Sequence, residues 1–347
     1  MNASFVLWLI VASWASAQVT TPDSTELVLE TPDIESEIES EESSLSAPPP
    51  PIGVRFGEPL EGGERVRVAY SFERSHRKGL LVGDRTRTAQ YIIDNSYQPY
   101  VSTPRSLDVT SHTFQLFYAP HPRATLVVEV PFYIKKLQTR SEFAVRSQDE
   151  TTGVGDVGFA LVVPFIRKGG ESSHVHVGFD IPTGSIRRGG DETRLPFDLQ
   201  PGNGTFDFEW GWTYRGEMDW LSWGGQALGW HPIGRNGLSY REGSRFEASL
   251  WSGVRIFRQL SASFRMSWEK QNNIRKHDAP QSITDPSFNS KARGGTYLTV
   301  SPGISIGLPP LGSQRLSVET DIPIYQDLSG PQLKRRWSVK AGWQWAY

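Results

Sequence analysis

Two short patterns in the sequence place reactive side chains together. His174-x-His176 sets two imidazoles on one face of an extended segment, with Asp180 further along the same face. That spacing could ligate a divalent metal; the alternative is that these residues line a polar interior. Asp207 and Glu209 likewise share a face. Adjacent carboxylates can serve acid–base chemistry, or they can pair with cations opposite, for which Arg245, Arg255, Arg265 and Arg315 are the candidates. Arg65, Arg67, Glu73, Glu129, Glu247, Glu319 and Asp321 complete the set of ionic residues that alternate with apolar ones.

No larger constellation organises these groups into a catalyst. The chain has 7 His and no Cys, which removes thiolate chemistry and disulfides. No Ser-containing nucleophile elbow is present, and no Walker or dinucleotide glycine motif follows an apolar strand. The reading is therefore of no catalytic residues, no metal site, no cofactor and no nucleic-acid partner, with the named residues lining a polar lumen.

The elements that must carry these residues share one design. Val66, Val68, Tyr70 and Phe72 alternate with Arg65, Arg67, Ser71 and Glu73. Leu126, Val128, Val130, Phe132 and Ile134 stand opposite Glu129. Val175, Val177, Phe179 and Ile181 face away from His174, His176 and Asp180, and Phe206, Phe208, Trp210, Trp212 and Tyr214 from Asp207 and Glu209. The pattern continues to Trp337, Val339, Ala341, Trp343, Trp345 and Tyr347, giving about twelve such stretches. Period two means strands with one apolar and one polar face.

A soluble sandwich shares that period, and the connectors discriminate. Short ones, such as Pro120 to Arg123 and Phe257 to Gln259, alternate with long ones near 74–108, 136–152, 183–203, 231–243, 270–294 and 325–335. Tight periplasmic turns and longer outer loops are the signature of an outer-membrane barrel. Composition agrees: the mean hydropathy is −0.41, aromatics reach 12% with 12 Trp, and 33 Gly and 24 Pro demand many turns. Tyr118, Tyr214 and Tyr347 end three descending strands with Trp210, Trp212, Trp343 and Trp345 just above, which reads as an interfacial girdle. The terminal Trp343-x-Trp345-x-Tyr347 looks like the signal read by barrel-assembly machinery.

The N-terminus differs. Phe5 to Ala12 is an apolar core and Ala15-Ser16-Ala17 a small-x-small cleavage signal, so 1–17 reads as a signal peptide. Residues 18–52 carry nine acids and no base and end in Pro48 to Pro51, which reads as a disordered acidic, Pro-rich periplasmic segment. Without those nine, 29 acids remain against 36 bases, so a net charge of −2 conceals a +7 remainder. The expected fold class is all-β: a single antiparallel transmembrane up-and-down β-barrel over 53–347.

Gly153-Val154-Gly155-Asp156-Val157, Pro182-Thr183-Gly184 and Pro201-Gly202-Asn203-Gly204-Thr205-Phe206-Asp207 are three short glycine-containing segments. They resemble an outer-membrane family known as the phenol meta-degradation pathway or "transporter" family, and the likeness is best over 124–216. The resemblance implies a bacterial outer-membrane barrel that takes up hydrophobic compounds. On the residues alone the same glycines serve turns and bulges at outer strand ends. The functional expectation is a channel or uptake barrel for small solutes, hydrophobic ones included, with outer-membrane lipid and barrel-assembly machinery as partners. The alternatives are a barrel enzyme acting on lipid or peptide, and a structural barrel with a filled lumen.

Overall fold

The computed structural model describes residues 47–60, 63–96, 100–143, 145–189, 194–275, 284–308 and 313–347. The expectations for 1–17 and for 18–46 fall outside the described residues.

The chain is an antiparallel barrel closed by pairing of its first and last strands. In chain order the strands are β1 (Val66–Gly83), β2 (Arg85–Arg87), β3 (Ser102–His121), β4 (Ala124–Ser141), β5 (Arg146–Val154), β6 (Val157–Lys168), β7 (Glu171–Ile181), β8 (Phe206–Glu217), β9 (Leu221–Ile233), β10 (Arg245–Arg255), β11 (Leu260–Gln271), β12 (Gly295–Gly307) and β13 (Ser313–Ala346). Each pairs with its neighbour in sequence, except that β5 and β6 occupy one wall position in succession on β4, and β2 is a short return on β1. β13 doubles back: residues 315–328 pair with β12 and 328–346 with β1. Its two halves are joined by Lys340 on Asp321 at 3.1 Å and by Gln326 on the backbone of Arg335. Counting both halves, the wall has twelve passes.

Closure runs from Arg67↔Ala346 to Gly83↔Leu328. A closed sheet satisfies its backbone without an edge, which is what hydrocarbon demands. The alternation assigns the faces. Leu116, Leu126, Phe159, Val177, Leu250, Phe264, Ile304 and Val318 are exposed on the outer surface, while Thr213, Gln226, Arg265, Ser301 and Glu319 are buried inside. Such an apolar outer belt around a polar interior suits lipid.

Three predicted long connectors are instead mostly strand. β1 runs on to Gly83 and β3 begins at Ser102, with a short helix Ala89–Asn95 between them. β4 and β5 extend into 136–152 from either side, with a turn at 142–143, and 325–335 is the tight reversal of β13. The remaining outer loops fold over the mouth. Leu80, Ile92, Tyr100, Leu107, Leu137, Leu199 and Leu333 form one apolar core there, and Phe197, Tyr240 and Ile274 another.

Candidate functional site

The interior is organised by a segment with no strand pattern. Residues 47–60 enter the lumen, so the last residues of the predicted acidic spacer, 47–52, are part of the barrel interior, with Pro48, Pro50 and Pro51 buried. Proline suits this path because it brings no N–H that the lumen would have to satisfy. Gly53 is required by close approach: a Cβ there would lie 2.3 Å from the Arg265 guanidinium. Its N–H donates to Glu319 Oε2 at 3.2 Å.

The segment's one arginine and one glutamate are each seated on two wall residues of opposite charge. Arg55 donates through Nη2 to Glu209 Oε2 at 2.8 Å and through Nη1 to Glu129 Oε2 at 3.1 Å, and its Nε also bonds Glu209. Glu58 accepts from Arg315, and from Arg215 Nη1 at 3.4 Å. Gln226 clamps the backbone between them, accepting from Arg55 N–H at 3.0 Å and donating to its carbonyl at 2.6 Å. Charge-assisted, partly bidentate bonds of this kind are the strongest polar contacts a protein makes.

Phe56 fixes the apolar side of the same segment. It lies against Phe117 and, at 5.0 Å and edge-on, against His176. With Leu60, Ala69, Val127 and Val162 it forms a core inside the lumen. Its backbone holds a left-handed φ of 49°, a conformation that costs a non-glycine residue roughly 1–3 kcal/mol and persists only when surrounding contacts impose it. This segment, a plug in the periplasmic half, was not foreseen. The available signal was Phe117, Val127 and Val162, apolar residues on faces that alternation makes polar.

The predicted lumen residues distribute around the plug. Arg67, Glu129, Glu209 and Arg315 hold it or its neighbours, Arg67 donating to the Glu58 carbonyl at 2.8 Å. Glu209 was expected to pair with Arg245, Arg255, Arg265 or Arg315; its partner is Arg55, supplied by the plug, with His176 Nε2 at 3.1 Å. Asp207 accepts from Asn203 and Thr205 at 2.7 Å, and of the expected cations Arg245 acts on it electrostatically without a direct bond. Arg265 bonds Glu319 and Asp321 and lies 3.6 Å from Glu247. His174 and His176 are buried against the plug rather than lining open space, with Asp180 half-buried above them. Arg65 does not line the lumen: it precedes β1, is exposed at the periplasmic rim, and shares backbone bonds with Tyr347 and Ala119. Arg255 ends β10 at that same rim.

Between plug and outer loops lies a chamber of about 510 Å³, lined among others by Arg55, Glu73, Glu129, Trp230, Arg245, Glu247, Glu269, Arg335 and Lys340. The loops above are pinned by ion pairs and caps. Arg293 bonds Asp198, and Asp285 accepts from Ser102 Oγ at 2.9 Å. Burial raises the Asp198 carboxyl, but Arg293 and Arg77 outweigh it and hold the group below its ordinary value. Glu242 lacks that compensation: burial pushes it up to about 7, against a smaller pull from Arg293.

The three glycine-rich segments converge on one clasp. The Asp156 carboxylate accepts from Gly184 N–H at 2.8 Å and from Asn203 N–H at 2.7 Å. Gly184 and Gly202 touch backbone to backbone, where an added Cβ would meet Cα at 2.6 Å. These residues join the outer ends of β6, β7 and β8 and are architectural.

No family model matches the chain, and no curated protein does. Solved structures do. An outer membrane channel from Pseudomonas putida F1 superposes with a TM-score of 0.60 at 9% identity, over 84% of this chain and 99% of that one. The transport unit of the autotransporter AIDA-I from Escherichia coli gives 0.47 at 10% identity, over 90% and 98%. A Pseudomonas aeruginosa FadL homologue gives 0.40 at 8%, over 82% and 90%. The first likeness is one of fold.

Proposed function

We propose that this protein is an outer-membrane channel for small solutes, gated from the periplasmic side by residues 47–60. The carrying observation is the reciprocal seating of Arg55 on Glu129 and Glu209, and of Glu58 on Arg215 and Arg315. A lumen filled only for stability would suit apolar side chains, because buried ion pairs are a poor source of net stability. Contacts built from charge can be released and remade. Twelve passes also enclose more space than the eight-stranded barrels that side chains fill. The fold likeness to an outer membrane channel supports the reading. So does the resemblance of 153–157, 182–184 and 201–207 to the "transporter" family, which extends it to hydrophobic solutes. Assembly through the terminal Trp343-x-Trp345-x-Tyr347 by barrel-assembly machinery belongs to the same reading.

Planar-bilayer recording tests the proposal. The wild type should show small or flickering currents, and deletion of 47–60 should give larger, steadier ones. Equal currents from both proteins, or none from either, would overturn it.

A further inference from the structure

The apolar belt is interrupted at the seam of β1 and β3. Lipid-facing positions are apolar along β4, at Leu126, Val128, Val130, Phe132 and Ile134, and along β7, at Val175, Val177, Phe179 and Ile181. At the seam the same face carries Arg74, His76 and Lys78 on β1 and Asp108, Thr110 and His112 on β3. Polar side chains are costly against hydrocarbon, and where they persist they mark a site.

Two hydrogen bonds organise the seam. The Tyr70 hydroxyl and His112 Nδ1 lie 2.7 Å apart, and with Phe114, Phe132 and Trp343 these residues form a shallow aromatic cup on the outer face. Tyr70 and His112 satisfy each other there, which leaves ring faces for hydrocarbon. Further up, His76 Nδ1 bonds Asp108 Oδ1 at 2.8 Å, and its ring stacks on Trp337. Asp108 stands opposite Lys136, which is paired with Glu150 at 3.0 Å, so His76 lies where the wall turns polar. Tyr70 to His76 spans about 20 Å along the strand and, at the tilt of such barrels, about 15 Å through the membrane, the depth of one leaflet.

Three cations surround His76. Arg74 and Lys78 flank it on the same face of β1, each about 7 Å away along the strand, and both are exposed. Their cross-strand neighbours carry no charge: Thr110 and Val339 for Arg74, Ser106 for Lys78. Arg336, also exposed, is the extra residue where the register slips between His76↔Trp337 and Arg77↔Arg335. Among the described residues none of the three is in an ion pair, and the carboxylate nearest in register on that face, Asp108, is engaged by His76.

We propose that this seam binds a phosphorylated glycolipid of the outer leaflet, of the lipid A class, with its phosphates on Arg74, Lys78 and Arg336 and an acyl chain running over Phe72 into the aromatic cup. Guanidinium and ammonium groups both suit phosphate, the first as a fork and the second as a point charge. The cations stand at the outer end of the wall and face the membrane, so the phosphate that reaches them belongs to an outer-leaflet lipid. Three of them match a head with two phosphates better than the single phosphate of a glycerophospholipid.

Native mass spectrometry of the full-length protein, folded in detergent and titrated with lipid, tests the assignment. Diphosphoryl lipid A should bind at one high-affinity site. Its dephosphorylated form, its deacylated head and a phosphatidylglycerol should each bind at least about tenfold more weakly. Arg74→Gln, Lys78→Gln and Arg336→Gln should each weaken lipid A about fivefold, as for one basic residue near an anionic membrane surface, and the triple variant about a hundredfold. Lys270→Gln, at the outer end of β11 elsewhere around the wall, removes the same charge and should leave affinity unchanged. Heat-modifiable migration on a gel confirms that each variant is folded, and the three single exposed substitutions keep the test open if the triple variant fails to assemble. No high-affinity site, equal binding of any of the three comparison lipids, single variants indistinguishable from the wild type, or an equal loss in Lys270→Gln would overturn the proposal. The outcome is independent of conduction through the lumen.

Discussion

Arg55 and Glu209 lie 154 residues apart in sequence, yet the guanidinium Nη2 donates to Glu209 Oε2 at 2.8 Å. The bond ties a segment outside the barrel wall to β8, with Glu129 of β4 also bound to the same guanidinium. Everything proposed about gating depends on that anchor.

Arg55→Ala should release the plug. It leaves Glu209 and Glu129 facing each other without a counter-charge, an arrangement that costs about 3–5 kcal/mol when the pair is buried. Limited proteolysis of the variant in vesicles should cut within 47–60 while the wild type resists. Bilayer currents should rise in step. A protected segment in the variant would show that Phe56 and the prolines suffice to hold it.

Leu250→Arg should impair assembly far more than Glu247→Gln. Leu250 is 66% exposed at the centre of β10, where lipid surrounds it, and Arg there costs about 2–4 kcal/mol. Glu247 faces the interior and gives up only its 3.6 Å contact with Arg265. Folding yield, read as the heat-modifiable fraction on a gel, checks the comparison. Equal yields would contradict the faces assigned to β10.

Gly202→Ala should loosen the outer ends of β6 to β8, since its Cβ would collide with the Gly184 backbone. Overpacking of this kind costs typically about 1–3 kcal/mol. Asp156→Ala should act at the same place by removing the acceptor for two backbone N–H groups. Both variants should lower the thermal midpoint and leave the plug protected. An unchanged midpoint for both would show that the clasp is dispensable.

The outer loops should loosen as pH rises. Glu242 lies in the loop after β9 with its carboxyl pushed up to about 7, against 4.5 unperturbed. A raised carboxyl favours the neutral form in the folded loop, so its contribution is fullest below the unfolded value and is lost as pH climbs from about 4.5 to 7. Protection factors of residues 234–244, taken relative to the intrinsic exchange rate at each pH, should be higher at pH 5 than at pH 8, and Glu242→Gln should flatten the difference. Lower protection at pH 5 would reverse the sign and exclude burial as the cause.

The sequence by itself determined the wall. Alternation is local: each residue between lipid and lumen must satisfy one side or the other, so Leu250 and Glu247 announce their faces to a reader who knows only their spacing. The number of passes followed, as did the exposed aromatics Trp345 and Tyr347 at the closing edge. Strand ends beyond the membrane were not legible, because both faces are wet there and no alternation is enforced; Arg74 to Gly83 and 136–152 therefore read as loops. The plug was decided only in three dimensions. Val54 to Leu60 has no period, and its Arg and Glu look like those of any solvated linker until the barrel brings Glu129, Glu209, Arg215 and Arg315 around them. The same holds for the chamber. Which charges meet there, as Arg265 meets Asp321 and Arg335 meets Glu269, depends on contacts between strands far apart in the chain, and no spacing along the sequence encodes that.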